Sequence, residues 1–261
     1  MRGAIIGDIM GSPYEGSGQQ KVYDIRLWTE DSHPTDDSAL TIATAEAIMT
    51  GKPYEEMYHK YWFDYPWAGY GTMFCEWGTR YPSMGPYNSY GNGSAMRVSP
   101  IAWAFSDLKT IQKEAEKSAA CTHNHPEGIK GAVSVATLIH YARIGKDKDY
   151  LKEVITKEFG YDVSMTLEDI RTEGFPFDET CQATVPPAFV CVYESDSFTD
   201  TVRNSISLGG DADTMAAIAG SIAEAIYGVP SQIWISSKLL LEKYFPESDS
   251  IVEDFESGYL S

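Results

Sequence analysis

SLGGDADTMAAIAGSIAEAIYGVP, from Ser207 to Pro230, sets two carboxylates and a threonine beside a Gly-Gly pair, and a run of small apolar residues follows at once. Met215, Ile218, Ile222 and Ile226 recur at helical spacing, and Gly228 and Pro230 supply a stop. A helix start leaves its first amides without partners, and a single Asp or Thr meets that need. The stretch therefore predicts a helix of small residues with one more carboxylate at its mouth than capping requires.

It has a counterpart. TDDSALTIATAEAIMTGKP, from Thr35 to Pro53, places Thr35, Asp36 and Asp37 before another alanine-rich helix that ends in Gly-x-Pro. Small residues let two helices approach closely, so their acidic ends can lie side by side. Periodicity predicts further helices at 54–63, 99–121, 127–144, 148–158, 182–194, 198–206 and 231–243. No hairpin turn separates two alternating runs, so the expectation is an all-α orthogonal helical bundle, one domain spanning 1–261. The stretch 64–95, rich in Gly, Pro and aromatics, reads as a long binding loop or a buried irregular layer, and 160–180 as a plainer loop.

Asp36, Asp37, Asp211 and Asp213 gathered together would repel unless protonated or neutralised. Hard oxygen ligands without His or Cys select Mg²⁺, Mn²⁺ or Ca²⁺ over zinc, and two such clusters suggest a two-metal site. The competing reading is ordinary N-capping with favourable charge on the helix dipole. An EF-hand counted from Asp211 fails, because its sixth and twelfth positions hold Ala216 and Ile222. An aspartyl-phosphate motif fits poorly, since Leu-Gly-Gly rather than a strand precedes Asp211 and Thr214 directly follows Asp213.

GAIIGDIMGSPYEG, residues 3–16, has glycines at 3, 7 and 11 rather than in the dinucleotide spacing, and reads as a closely packed helix. Asp8 and Glu15 are its anomalies; Glu15, beyond Pro13, falls on a loop where it can act as acid, base or gate. SYGNGSAMR, residues 89–97, offers glycine-turn amides for phosphate and Tyr90 for stacking, against the alternative of a plain turn with a core tyrosine. Arg97 suits either a phosphate or a structural ion pair. In CTHNHPEG, residues 121–128, the alternating His123 and His125 lack the third partner that zinc needs, and one could donate to a substrate.

The formal charge of −18 disfavours nucleic acid as a partner. Four scattered cysteines without a C-x-x-C pair fit a reduced, cytoplasmic location. No signal peptide or membrane-spanning run is read, since spanning needs roughly 18 or more apolar residues. The chain is expected to act as a monomer.

GAIIGDIMGSPYE, TDDSAL, SYGNGSAMR, THNHPEG and SLGGDADTMAAIAGSIAEAIYG occur here in the order in which they occur in ADP-ribosylglycohydrolases, a family this chain resembles from residue 3 to about residue 234. The resemblance implies an all-α fold with two Mg²⁺ or Mn²⁺ ions in a central cleft. It implies Thr35, Asp36, Asp37, Asp211, Asp213 and Thr214 as metal ligands. Glu15 would be the gating glutamate, and Asp36 and Asp211 would join it in catalysis. Ser89, Tyr90, Gly91, Asn92 and His123 would bind substrate, with Gly69-Tyr70-Gly71 as a further lining loop. The implied reaction is hydrolysis of the glycosidic bond between ADP-ribose and an acceptor. The alternatives are a non-catalytic ADP-ribose-binding or structural member of the fold, and a metal-dependent phosphohydrolase. The segment 160–181 departs from the family pattern, so the resemblance carries no acceptor specificity.

Overall fold

Glycines 3, 7 and 11 recur once per helical turn and leave one side of the first helix without side chains. The computed structural model, which describes residues 1–20 and 22–259, shows what fills that side. Helix α1 (Arg2–Gly11) lies against α13 (Ala212–Tyr227) so closely that a Cβ on Gly7 would sit 2.1 Å from the Ala216 carbonyl oxygen. A Cβ on Gly3 would meet the Gly220 carbonyl oxygen at 2.2 Å, and one on Gly11 the Asp213 Cα at 2.4 Å. Backbone packs on backbone along the whole pair, as the four-residue glycine spacing leads one to expect.

Between these two in sequence come α2 (Asp36–Thr50), α3 (Tyr54–Asp64), α4 (Thr72–Arg80), α5 (Gly93–Met96), α6 (Ser99–Ala104) and α7 (Leu108–Ala120). Then follow α8 (Pro126–Arg143), α9 (Lys148–Lys157), α10 (Leu167–Glu173), α11 (Cys181–Tyr193) and α12 (Phe198–Ser207); α14 (Ser231–Tyr244) and α15 (Ser248–Tyr259) close the chain. The described residues contain no strand, only an isolated bridge between Gly91 and Thr180. The all-α expectation holds. Helix α13 is buried on nearly every side, packed by α1, α8, α11 and α12, which explains a sequence apolar all round rather than on one face.

Three expectations need correction. The helix read over 99–121 is two, because Asp107 accepts the Thr110 N–H at 2.8 Å and starts a new helix. The loop 64–95 contains α4, whose buried Phe74 and Trp77 sit three residues apart in a Gly- and Tyr-rich context that hides the period. The loop 160–180 contains α10, opened by a capping box in which Thr166 and Asp169 bond each other's backbone.

The close helix pair sets a stability test. Gly7→Ala forces a Cβ into backbone that cannot yield, and overpacking of this kind costs at least about 1–3 kcal/mol. In thermal unfolding, roughly 2–4 °C of Tm is expected to be lost per kcal/mol. Gly18→Ala, where nothing lies within 4 Å of the added Cβ, is expected to leave Tm nearly unchanged.

Candidate functional site

Asp8 leaves the glycine-striped helix one residue after Gly7 and is fully buried. Its Oδ2 accepts the backbone N–H groups of Thr35 at 2.9 Å and Ser38 at 3.0 Å, and the Ser38 hydroxyl as well. Its Oδ1 accepts the Thr35 hydroxyl at 2.7 Å. A carboxylate on α1 thus caps the start of α2 from across the interface, and Thr35 caps it locally by accepting the Asp37 N–H at 3.4 Å. With the capping done by others, Asp36 and Asp37 are free for another task.

At α13 the departure from capping is plainer. Asp211 occupies the N-cap position, yet its side chain makes no capping hydrogen bond. Its Oδ2 instead accepts from Asn92 Nδ2 at 2.7 Å. The Gly209–Gly210 turn before it, with φ of +75° and +69°, brings its backbone against residues 16–19. Gly16 N–H donates to the Gly210 carbonyl at 2.8 Å and Gly210 N–H to the Ser17 carbonyl at 3.1 Å. A side chain at Gly209 would lie 2.7 Å from that Ser17 oxygen. The Gly-Gly pair thereby docks the loop that carries Glu15 beside Asp211.

Carboxylate oxygens of Asp8, Asp37 and Asp213 lie within 4.8 Å of one another, and so do those of Glu15, Asp211 and Asp213. Asp213 belongs to both groups and links them. The Thr214 hydroxyl donates to Asp37 Oδ2 at 3.1 Å, tying the two helix mouths together directly. Burial pushes the carboxyls of Asp36, Asp37 and Asp213 well above the ordinary range, and their carboxylate neighbours push further. Asp8 is raised by burial too, against the opposing hydrogen bonds from Ser38 and Thr35. At Glu15, exposed at the edge, partial desolvation and then Asp211 and Glu179 raise the carboxyl.

These residues could hold metal ions. Asp37 Oδ1 is buried with no hydrogen-bond partner, an acceptor aimed at something the chain does not supply. The donors are all hard oxygens, which suits Mg²⁺, Mn²⁺ or Ca²⁺ and disfavours zinc.

Around the cluster opens a cleft of about 350 Å³. Glu15, Thr35, Asp36, Asp37, Asp211, Asp213 and Thr214 line it together with Ser89, Gly91, Asn92 and His123. Tyr90 is not among its lining residues: its ring is 46% exposed and rests on the His125 imidazole, 5.1 Å between centroids. Gly69 and Gly71 line the cleft, whereas Tyr70 is buried and stacked on Phe74. His125 is spent on structure, accepting the Glu127 N–H at 3.1 Å as the cap of α8.

Asp8 stands out in the sequence only as a carboxylate inside an apolar glycine helix, and that misfit is the trace its capping role leaves there. Glu179, which lines the cleft from the plain loop after α10, left no signal. Trp67 and Met73, about half exposed at the cleft, were hidden in the aromatic loop.

A family model described as ADP-ribosylglycohydrolase matches residues 1–245. The chain is 28% identical to ADP-ribosylhydrolase ARH3 of Homo sapiens over 311 aligned positions, covering 88% of this chain and 84% of that protein. It is 27% identical to the Mus musculus ARH3 over 307 positions, covering 88% of this chain and 83% of that one. A chain of a solved ADP-ribosylglycohydrolase-related protein complex superposes with a TM-score of 0.72 at 22% identity, covering 98% of this chain and 95% of that chain, a likeness that shows the fold.

The raised carboxyls fix the sign of a pH effect. Above the ordinary Asp value of 3.8 the folded state keeps protons that the unfolded chain releases, so stability from these groups falls as pH rises toward their native values. In metal-free protein the Tm of the wild type is expected to fall relative to Asp37→Asn as pH goes from about 5 to about 8. Saturating Mn²⁺ is expected to restore the wild type and to do little for the variant. A pH-independent difference between the two would contradict this electrostatic account.

Proposed function

The chain belongs to the ADP-ribosylglycohydrolase family, and from that premise we propose that it hydrolyses the glycosidic bond between ADP-ribose and an acceptor such as a modified protein side chain. One observation carries the reading: the Thr-Asp-Asp mouth of α2 and the Asp-x-Asp-Thr mouth of α13 meet in one cleft, with Asp37 Oδ1 buried and unpartnered. The names of the ARH3 relatives support the same substrate class.

Thr35, Asp36, Asp37, Asp211, Asp213 and Thr214 would hold two Mg²⁺ or Mn²⁺ ions. Bound there, the ions supply charge that offsets the carboxylates and the substrate's diphosphate and that orders the ribose hydroxyls. Asp211, held by Asn92, takes the proton of the attacking water as the bond to the anomeric carbon breaks. Glu15 stands at the exposed edge of the cleft beside Asp211 and Asp213, where its raised carboxyl can hold a proton for the leaving group or withdraw to admit substrate. The glycine turn at 91–93 and Ser89 line the wall on which the diphosphate and adenosine would lie.

The test is release of free ADP-ribose from singly modified peptides in the presence of Mg²⁺ or Mn²⁺. EDTA is expected to abolish it. Removing residues that only support metal ligands typically costs about 10–100-fold, so Asp36→Asn and Asp213→Asn are each expected to cost more than about 100-fold. Inorganic phosphate in place of ADP-ribose would identify a phosphohydrolase instead. Tight ADP-ribose binding without turnover of any acceptor would identify a binding protein.

A further inference from the structure

Arg97 is fully buried and forms no ion pair among the described residues. Its Nη2 donates to the Ser118 carbonyl at 2.8 Å and to Thr122 Oγ1 at 2.7 Å, and its guanidinium lies 4.1 Å over the Tyr58 ring. Its Nε and Nη1 have no acceptor. An unpaired buried cation is costly. Arg97 also lines the cleft, which sets positive charge into a wall that faces many carboxylates.

Thr122 Oγ1 is at the same time 2.7 Å from His123 Nδ1. A guanidinium can only donate, so Arg97 occupies a lone pair of that hydroxyl. Thr122 is fully buried, and besides Nδ1 its hydroxyl has only the neighbouring Cys121 sulfur within reach, a much weaker acceptor than an imidazole nitrogen. The stronger acceptor takes the hydroxyl proton, so Thr122 donates to Nδ1 and Nδ1 carries no proton of its own. Burial and the Arg97 charge hold the imidazole well below its ordinary pKa, so the ring is neutral. Its one proton sits on Nε2. That nitrogen makes no hydrogen bond among the described residues, and a Cβ at Gly93 would stand 3.1 Å from it, one at Gly91 3.6 Å. The glycines leave the space that lets the ring edge reach the cleft, which His123 lines.

We infer that Arg97 and Thr122 are positioning residues that lock His123 in its Nε2–H form, making it a hydrogen-bond donor to an anionic oxygen of the ligand and removing it as a general base. The relay is independent of the reaction. That the anionic oxygen belongs to the diphosphate of ADP-ribose rests on the function proposed above.

The experiment is ¹⁵N-histidine NMR of the full chain loaded with Mg²⁺, with His123 assigned through His123→Gln, alongside calorimetric titration of ADP-ribose. The wild type is expected to show a bare Nδ1 and a protonated Nε2. Thr122→Val is expected to give mixed tautomers and to weaken ADP-ribose roughly 10-fold, the scale of one hydrogen bond to a charged group. Thr122→Ser is expected to restore both. Arg97→Met frees the hydroxyl lone pair and is expected to mix the tautomers as well; if that variant fails to fold, the Thr122 pair carries the test. A protonated Nδ1 in the wild type, or a Thr122→Val protein with unchanged tautomer and affinity, would overturn the relay. A wild type with the locked tautomer that ignores ADP-ribose supports the relay and overturns the ligand reading instead.

Discussion

A single buried carboxylate joins the two halves of the cleft. Asp8 belongs to α1, which the glycine stripe presses onto α13, while its oxygens accept two backbone N–H groups and two hydroxyls from the start of α2. Burying a charge is tolerable only where it is well hydrogen-bonded, and four donors meet that condition. The mouth of α2 is thereby fixed relative to α13. The close approach of Thr35, Asp37, Asp213 and Thr214 follows from those two contacts. Relaxing the glycine contact by even the width of a methyl group would move Asp8 and, with it, the entire α2 half of the cluster.

The same arrangement concentrates negative charge where water is scarce. Asp36, Asp37 and Asp213 are each held well above the ordinary carboxyl range, by burial first and then by neighbouring carboxylates, Asp211 and Asp8 among them. No lysine or arginine ion pair in the described structure relieves them. The ion pairs lie elsewhere, mostly on exposed helix faces such as Lys157 with Glu153. A fold that leaves this conflict unresolved has a local cost whose natural relief is a cation from outside, and active regions are where such conflicts persist. The cleft also carries the complementary feature, the unpaired Arg97 behind Thr122 and His123. One cleft therefore offers carboxylates to cations and a cation-backed donor to anions. A sugar diphosphate with neighbouring hydroxyls has both needs.

Much of this was legible in the residues. The excess of carboxylates at two helix starts, the four-residue glycine spacing and the small-residue helices all pointed to close helices with acidic mouths. Every residue read as a metal ligand lines the cleft, as do Glu15, Ser89, Gly91, Asn92 and His123; Tyr90 does not, because its ring lies against His125 instead. The start of α10 was also legible, in a Thr-x-x-Asp capping box that a loop reading passed over.

Local sequence thus determined most of the helical segments, though not α4, α10 or α15, and which helix ends carry more acid than a cap can use. These are properties of spacing, and spacing is written in the chain. Tertiary structure decided the rest: that Asp8 does the capping, that Asp211 at an N-cap position does not, that Glu179 joins the cleft from a featureless loop, and that Arg97 reaches the Thr122 hydroxyl behind His123. Each of these depends on which donor or acceptor comes within about 3 Å from a distant part of the chain. Hydrogen-bond partners separated by tens to hundreds of residues leave no periodic trace, so only the packed helices reveal them.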